Sequence, residues 1–274
     1  MYSTTSDMLK FGNAILTNKL LPAHETRKWL KPHVFTSSAG QFMGAPWEIQ
    51  RSETLAPSGR LVEIYTKAGD LGLYHSMFAL VPDYGLVVSV LTAGKEATDE
   101  FSFCANLVSQ VLKLVVPALD AAARDSAKEK FAGRYEDAKS NSTVELTMDD
   151  KGGPGLILSK WVVRGFDVLT NYMAYGLPPK EEPMPSIARI YPSNLASGNL
   201  TAWRMAFDVA NEEESEKFDA EAVFPRGSCV NWGTMDRQTY NYVGLEEFLF
   251  EVGDGGVAEK IIPRAFDVKL GRVE

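Results

Sequence analysis

The sequence predicts an α+β chain in two parts. Helices with antiparallel strands fill residues 1–116, an all-β antiparallel barrel fills 131–274, and 117–130 is a linker or a short exposed helix. Three observations carry this prediction. Two segments in the first part show apolar residues at helical spacing behind good caps. Between them lie apolar runs of strand length broken by a tight turn. From Phe131 onward, short strands alternate with Gly, Pro, Asn and Asp clusters, the pattern of an antiparallel barrel or sandwich.

The first helix is predicted behind Thr4, with Asp7 three residues on, close to a capping box. Met8, Phe11 and Ile15 are its apolar stripe. Residues 22–31 allow a short helix, and a strand is expected from Trp47 to Arg51. Further strands are predicted at 61–67, 74–81 and 86–92, with Asp83-Tyr84-Gly85 as the turn between the last two. The runs at 77–81 and 86–91 are apolar on both faces, so their sheet is expected to be covered on both sides. A second helix is capped by Thr98, and Asp99 and Glu100 suit the positive end of its dipole. Phe101, Cys104, Val108, Val111 and Val115 are its expected stripe, and Pro117 its end.

In the second part strands are predicted at 143–149, 155–164, 186–191, 201–209, 218–224, 240–243, 246–252 and 259–269. Val144, Leu146 and Met148 alternate with polar residues, the period of a half-buried strand. Trp161, Trp203, Trp232, Tyr240 and Phe250 are expected mainly in the core.

Composition narrows the function. Hydrophobic residues at 45% and charged residues at 23% fit a soluble globular chain. A net charge of −8 argues against a nucleic-acid surface, which needs clustered Lys and Arg. No continuous apolar stretch reaches the ~18 residues of a membrane span. Cys104 and Cys229 make no disulfide framework or metal spacing, and the three histidines are scattered, so neither a metal nor a cofactor is expected.

Residues 64–76 read IYTKAGDLGLYHS, followed at once by MFALVPDYGLVVSVLTAG. The Lys67-Ala68-Gly69 strand with its following strand pair and helix resembles the Lys-Thr-Gly motif of the serine β-lactamase and penicillin-binding-protein superfamily. The opening MYSTTSDMLKFGNAIL resembles the middle of such a domain, and FAGRYE resembles the start of an added barrel. Together they are similar to the C-terminal half of a fungal-type β-lactamase-like serine hydrolase with a lipocalin-like barrel. The expected first part is therefore a partial β-lactamase/transpeptidase-like domain whose preceding half lies outside these residues.

The resemblance implies an acyl-transfer cleft. In that superfamily a Ser followed three residues later by Lys attacks an ester or amide carbonyl, helped by a Tyr-x-Asn or Ser-x-Asn motif. This chain holds no Ser-x-x-Lys and no Tyr-x-Asn, and its Ser197-Gly198-Asn199 falls among turn residues. By position, Lys67 would supply the catalytic cation and Gly69 the close approach of substrate to backbone. The Asp70 N–H would be an oxyanion donor. Ala68 stands where the family has Thr, which removes a hydroxyl for a substrate carboxylate and favours ester or amide substrates over β-lactams. The Asp70 carboxylate must then point away. His75 and Ser76, adjacent on a strand, face opposite ways and cannot form a dyad.

Three functions follow as alternatives: a hydrolase fragment inactive alone, a barrel that holds a small apolar ligand, or an enzyme of other chemistry. The first carries a partner expectation, either a complementary N-terminal half or a second copy, through the open sheet edge beside 86–92.

Overall fold

Thr4 begins the fold. Its hydroxyl oxygen accepts the Asp7 backbone N–H at 3.2 Å and caps α1 (Thr5–Leu16). The computed structural model describes residues 2–95, 103–150, 153–174, 186–209, 220 and 235–273. The chain divides into two units, Met1–Ala123 and Arg124–Glu274.

The first unit continues through α2 (Ala23–Trp29) into a six-stranded antiparallel sheet whose order follows the sequence. Its strands are β1 (Val34–Phe35), β2 (Gln41–Met43), β3 (Glu48–Ser52), β4 (Val62–Leu71), β5 (Tyr74–Val81) and β6 (Leu86–Ala93). Gly85 turns β5 into β6 at a φ of 60°, which only glycine adopts without cost. The two faces bury different sets. Ile49, Tyr65, Phe78 and Leu80 pack with Ile15 of α1, and Val62, Ile64, Ala79, Val81 and Val88 pack with Val108, Leu112 and Val116 of α3 (Phe103–Phe131). Coverage of the sheet on both sides, expected from the apolar runs, is what the structure has.

Three expectations about the helices need correction. On α1 the buried residues are Gly12 and Ile15, and Phe11 stays 44% exposed. The α3 stripe is Cys104, Val108, Leu112 and Val116, a strict four-residue spacing that leaves Val111 at 37% exposure. Pro117 lies inside α3, so 117–130 is helix rather than linker. Two causes are visible. Residues 118–130 hold five Ala and two Lys, strong helix formers. The turn after Pro117 is also anchored, because the buried Asp120 carboxylate accepts the Ser58 N–H, the Ser58 hydroxyl and the Tyr84 hydroxyl, each at 3.0 Å. Thr98, Asp99, Glu100 and Phe101 lie outside the described residues. By length and composition α3 can cross a membrane. Single polar residues such as Asn106, Gln110 and Lys113 interrupt its apolar run, and its stripe is used against the sheet.

The second unit is a closed barrel. Its ring runs β9 (Leu156–Val163), β11 (Ser186–Ser197), β12 (Leu200–Val209), β15 (Glu247–Val252), β16 (Ala258–Pro263), β17 (Leu270–Val273), β7 (Gly133–Asp137) and β8 (Ser142–Met148), and β8 pairs back onto β9. Outside the ring lie β10 (Phe166–Asp167), α4 (Val168–Ala174) and a small hairpin of β13 (Thr239–Tyr240) and β14 (Val243–Gly244). Tyr135, Trp161, Trp203, Phe248 and Phe250 fill the interior. Tyr240 departs from the expected core set at 53% exposure. Asn241 and Tyr242 have φ of 53° and 63°, a two-residue hairpin turn, so 240–243 is a turn between two short strands. The stretch 259–269 also breaks, at a tight turn over Arg264–Phe266 closed by Asp267 in the left-handed region. Trp232, Cys229 and most of 218–224 lie outside the described residues.

Arginines tie the barrel's irregular parts. Arg272 donates to the carbonyls of Glu129, Lys130 and Ala132 at 3.0, 3.2 and 2.6 Å, satisfying the exposed acceptors at the C-terminal end of α3. Buried Arg189 pairs with Asp149 and donates to the Pro154 carbonyl at 3.2 Å.

Candidate functional site

Lys67, Ala68, Gly69 and Asp70 occupy the far half of β4, past the end of β3. The β3–β4 ladder ends at the pair Glu48 and Thr66, whereas the β4–β5 ladder runs on to Leu71 and Tyr74. One edge of β4 is therefore without a strand neighbour over residues 67–71. Gly72, at a φ of 60°, makes the turn into β5.

Alternation along β4 sorts the groups. Tyr65 faces α1, and at the period of two Lys67 and Gly69 follow it on that face. Ile64 faces α3, and Ala68 and Asp70 follow it. The Asp70 carboxylate meets His75 Nδ1 at 2.6 Å, directly across the hairpin on the α3 face. Ser76 lies on the other face and donates its hydroxyl to the Gly69 carbonyl at 3.2 Å. His75 and Ser76 are separated by the sheet, as the alternation required. A Cβ on Gly69 would come within 2.8 Å of the Ser76 Oγ, so glycine keeps this face open.

The unpaired edge is occupied by charge. Glu48, the first residue of β3, reaches past the end of its own strand. Its carboxylate accepts Lys67 Nζ at 2.6 Å and the Ala68 N–H at 3.2 Å, and Lys67 Nζ also donates to the Ala68 carbonyl at 3.1 Å. The N–H groups of a strand alternate between its two edges, so the Asp70 N–H faces the same open edge as that of Ala68, about 6.6 Å further on. The Asp70 side chain is turned out of this edge toward His75.

Glu48 is the member of this group that reading the sequence missed. It lies nineteen residues before Lys67, in a strand predicted only as a run of residues. Its role appears once register is known. Tyr65, two residues before Lys67, donates its hydroxyl to Glu63 at 2.8 Å. Burial, then the Glu63 carboxylate, pushes its phenol well above the ordinary tyrosine range, so it stays protonated and is no base at neutral pH. Among the described residues there is no cluster of His, Cys, Asp and Glu fit to hold a metal.

Comparison with known proteins places the second unit. The family described as "Beta-lactamase-like-like, C-terminal domain" matches residues 123–274, more than half of the chain. The chain belongs to that family. The β-lactamase-like C-terminal domain thus coincides with the barrel and the last turns of α3.

Curated relatives extend the likeness across the first unit. A beta-lactamase-like protein of Arthroderma benhamiae is 26% identical over 92% of this chain and 45% of its own length. Beta-lactamase-like protein str6 of Strobilurus tenacellus is 29% identical over 61% of this chain and 55% of its own. The probable hydrolase clz13 of Cochliobolus lunatus is 27% identical over 52% of this chain and 22% of its own. The chain spans about half the length of the first two. Among solved structures, the octameric penicillin-binding protein homologue from Pyrococcus abyssi aligns with 77% of this chain and 44% of that chain, at 14% identity and a TM-score of 0.33. The relatives give this β-lactamase-like chain a relationship to hydrolases.

Proposed function

We propose that residues 1–274 are the C-terminal portion of a β-lactamase-like serine hydrolase or acyltransferase, acting on an ester or amide. In this reading they form one wall of the cleft, and the nucleophilic Ser and its base come from outside these residues. The observation that carries it is the edge of β4 past the end of β3, where Glu48 holds Lys67 and the Ala68 N–H. It presents a held ammonium (Lys67), a residue without a side chain (Gly69) and an outward-facing N–H (Asp70), while the Asp70 carboxylate is drawn to the other face by His75. Such an edge suits a carbonyl oxygen gaining negative charge, because a preset N–H and a nearby cation need no reorganisation as the charge forms. The missing Ser-x-x-Lys makes the chain inactive alone. The remaining wall is a complementary N-terminal half, or a second copy, docked at the edge of β6, which among the described residues pairs only with β5.

The test is intact-mass analysis after treatment with a fluorophosphonate and with a labelled penicillin. It is run on this chain alone and on this chain mixed with the N-terminal half of a relative. The expected result is no adduct on this chain and one adduct on the added half, with ester turnover that falls at least tenfold in Lys67→Met. An adduct on residues 1–274 alone, or turnover indifferent to Lys67, would refute the assignment.

A further inference from the structure

One end of the barrel holds a cavity of about 610 Å³, well away in sequence from the β4 edge. Its depth is apolar. Val163 and Val168 are buried core residues, and Leu245 and Phe266 pack against the same core. Tyr240 stacks on Phe266 with ring centroids 5.1 Å apart and planes 24° apart, so an aromatic pair forms one side. The partial exposure of Tyr240, unexpected from the sequence, has its place here.

The rim is cationic. Arg164 and Arg237 line the cavity with Asn171, Gln238 and Thr239, and no Asp or Glu is among the lining residues. In a chain of net charge −8 this local sign is a departure from the average. Of the four carboxylates next in sequence to lining residues, Asp167, Asp236, Glu246 and Asp267, the first two are committed elsewhere. Asp167 accepts the Thr170 N–H at 3.0 Å and the Thr170 hydroxyl at 2.8 Å, and Asp236 pairs with Arg204 at 2.6 Å. Arg164 is fixed in direction by a bond of 3.3 Å from its guanidinium to the Phe266 carbonyl, whereas Arg237 is exposed.

An apolar floor, an aromatic wall and two guanidinium groups at the mouth suit one kind of molecule. We propose that this cavity binds a small amphipathic carboxylate, with its apolar body against Val163, Leu245 and Phe266 and its anionic head between Arg164 and Arg237. The volume falls in the range of small-molecule sites, and a guanidinium meets a carboxylate through paired, charge-assisted hydrogen bonds. The proposal does not depend on the hydrolase reading, since it concerns binding by the barrel and no turnover.

The test is calorimetric titration of the full chain with sodium decanoate, held below micelle formation, against decanol and decylamine as probes with the same tail and a different head. The expected result is saturable binding of one decanoate per chain, with decanol and decylamine at least tenfold weaker. Arg237→Gln, at an exposed position, is expected to weaken decanoate about tenfold and leave decanol unchanged. Thr239→Asp, which puts a carboxylate on the rim, is expected to abolish decanoate binding while thermal unfolding stays as in the parent. Equal binding of all three probes, decanoate uptake without saturation, or indifference to both substitutions would overturn the proposal. Because the readout is heat of binding, its outcome is distinguishable from a failure of the fluorophosphonate test.

Discussion

Asp120 shows how much one side chain can hold. It is 3% exposed and accepts three hydrogen bonds, from Ser58 twice and from Tyr84 once. Asp120→Ala would leave two buried donors of Ser58 and the half-buried Tyr84 hydroxyl without this acceptor. The expected cost is ~3 kcal/mol, read from the denaturant midpoint, with Asp120→Asn recovering part of it. The Lys67–Glu48 pair is a contrast, since its side chains are 47% and 29% exposed. Its loss should move stability by less than ~1 kcal/mol, so an activity effect of Lys67→Met would not be a folding effect. Tyr135 gives a pH dependence. Burial pushes its phenol up to about 12 despite the opposing Arg272 charge. Its folded value therefore lies above the unfolded one, near 10. The native state keeps a proton that the unfolded chain loses, so the stability from this group is complete below about pH 10 and is lost as pH rises through about 12. In Tyr135→Phe, denaturant titrations across that window should show a shallower alkaline fall. An unchanged slope would remove Tyr135 from the account. At this scale the sequence supplied Lys67, Ala68, Gly69 and Asp70 through a strand motif. It did not supply Glu48 or the bond from Asp70 to His75, because both depend on which residues stand opposite one another.

Elements explain why some positions tolerate nothing larger. Gly12 sits where α1 meets the sheet, and a Cβ there would lie 2.4 Å from Val87 Cγ1 and 2.9 Å from Phe78 Cζ. Gly12→Ala should cost ~1–3 kcal/mol by forcing α1 off β5 and β6, despite alanine's better helix propensity. A stabilised variant in chemical denaturation would show that the helix shifts freely. The strands of the first unit were legible because long apolar runs leave little choice of structure, and Gly85 marked their turn. The stripe of α3 was harder. Apolar residues lie on more than one side of it, with Leu107, Val111 and Leu114 exposed, so periodicity alone did not say which row the sheet would take. Pro117 misled for a different reason. A proline ends a helix only when nothing beyond it holds, and the Asp120 anchor comes from residues 62 and 36 positions away.

At the scale of the molecule the two units treat their sheet edges oppositely. Among the described residues the first leaves β1 and β6 each with one neighbour, whereas the ring of the second leaves none of its eight strands unpaired. Residues 124–274 prepared alone are expected to stay monomeric by sedimentation, because a closed ring offers no edge to add to. Residues 1–123 are expected to associate, and more so as concentration rises. A monomeric first unit would argue against docking at β6. The α+β class and the β-rich second half could be read from turn spacing and alternation. Closure into the expected barrel rests on one long-range pairing, β17 with β7, that no local pattern announces.

The same ring sets an order of events in time. β7 begins at Gly133, yet its partner β17 starts only at Leu270, and between them the chain must make every other strand of the ring. A ribosome working at roughly 5–20 residues per second would take roughly 7–27 seconds to cover that interval. Throughout it the first hairpin waits, and Arg272, which ties down the end of α3, has not yet been synthesised. Closure of this barrel therefore waits for the strand that starts at Leu270, and a stall anywhere upstream leaves an unclosed sheet for chaperones to guard.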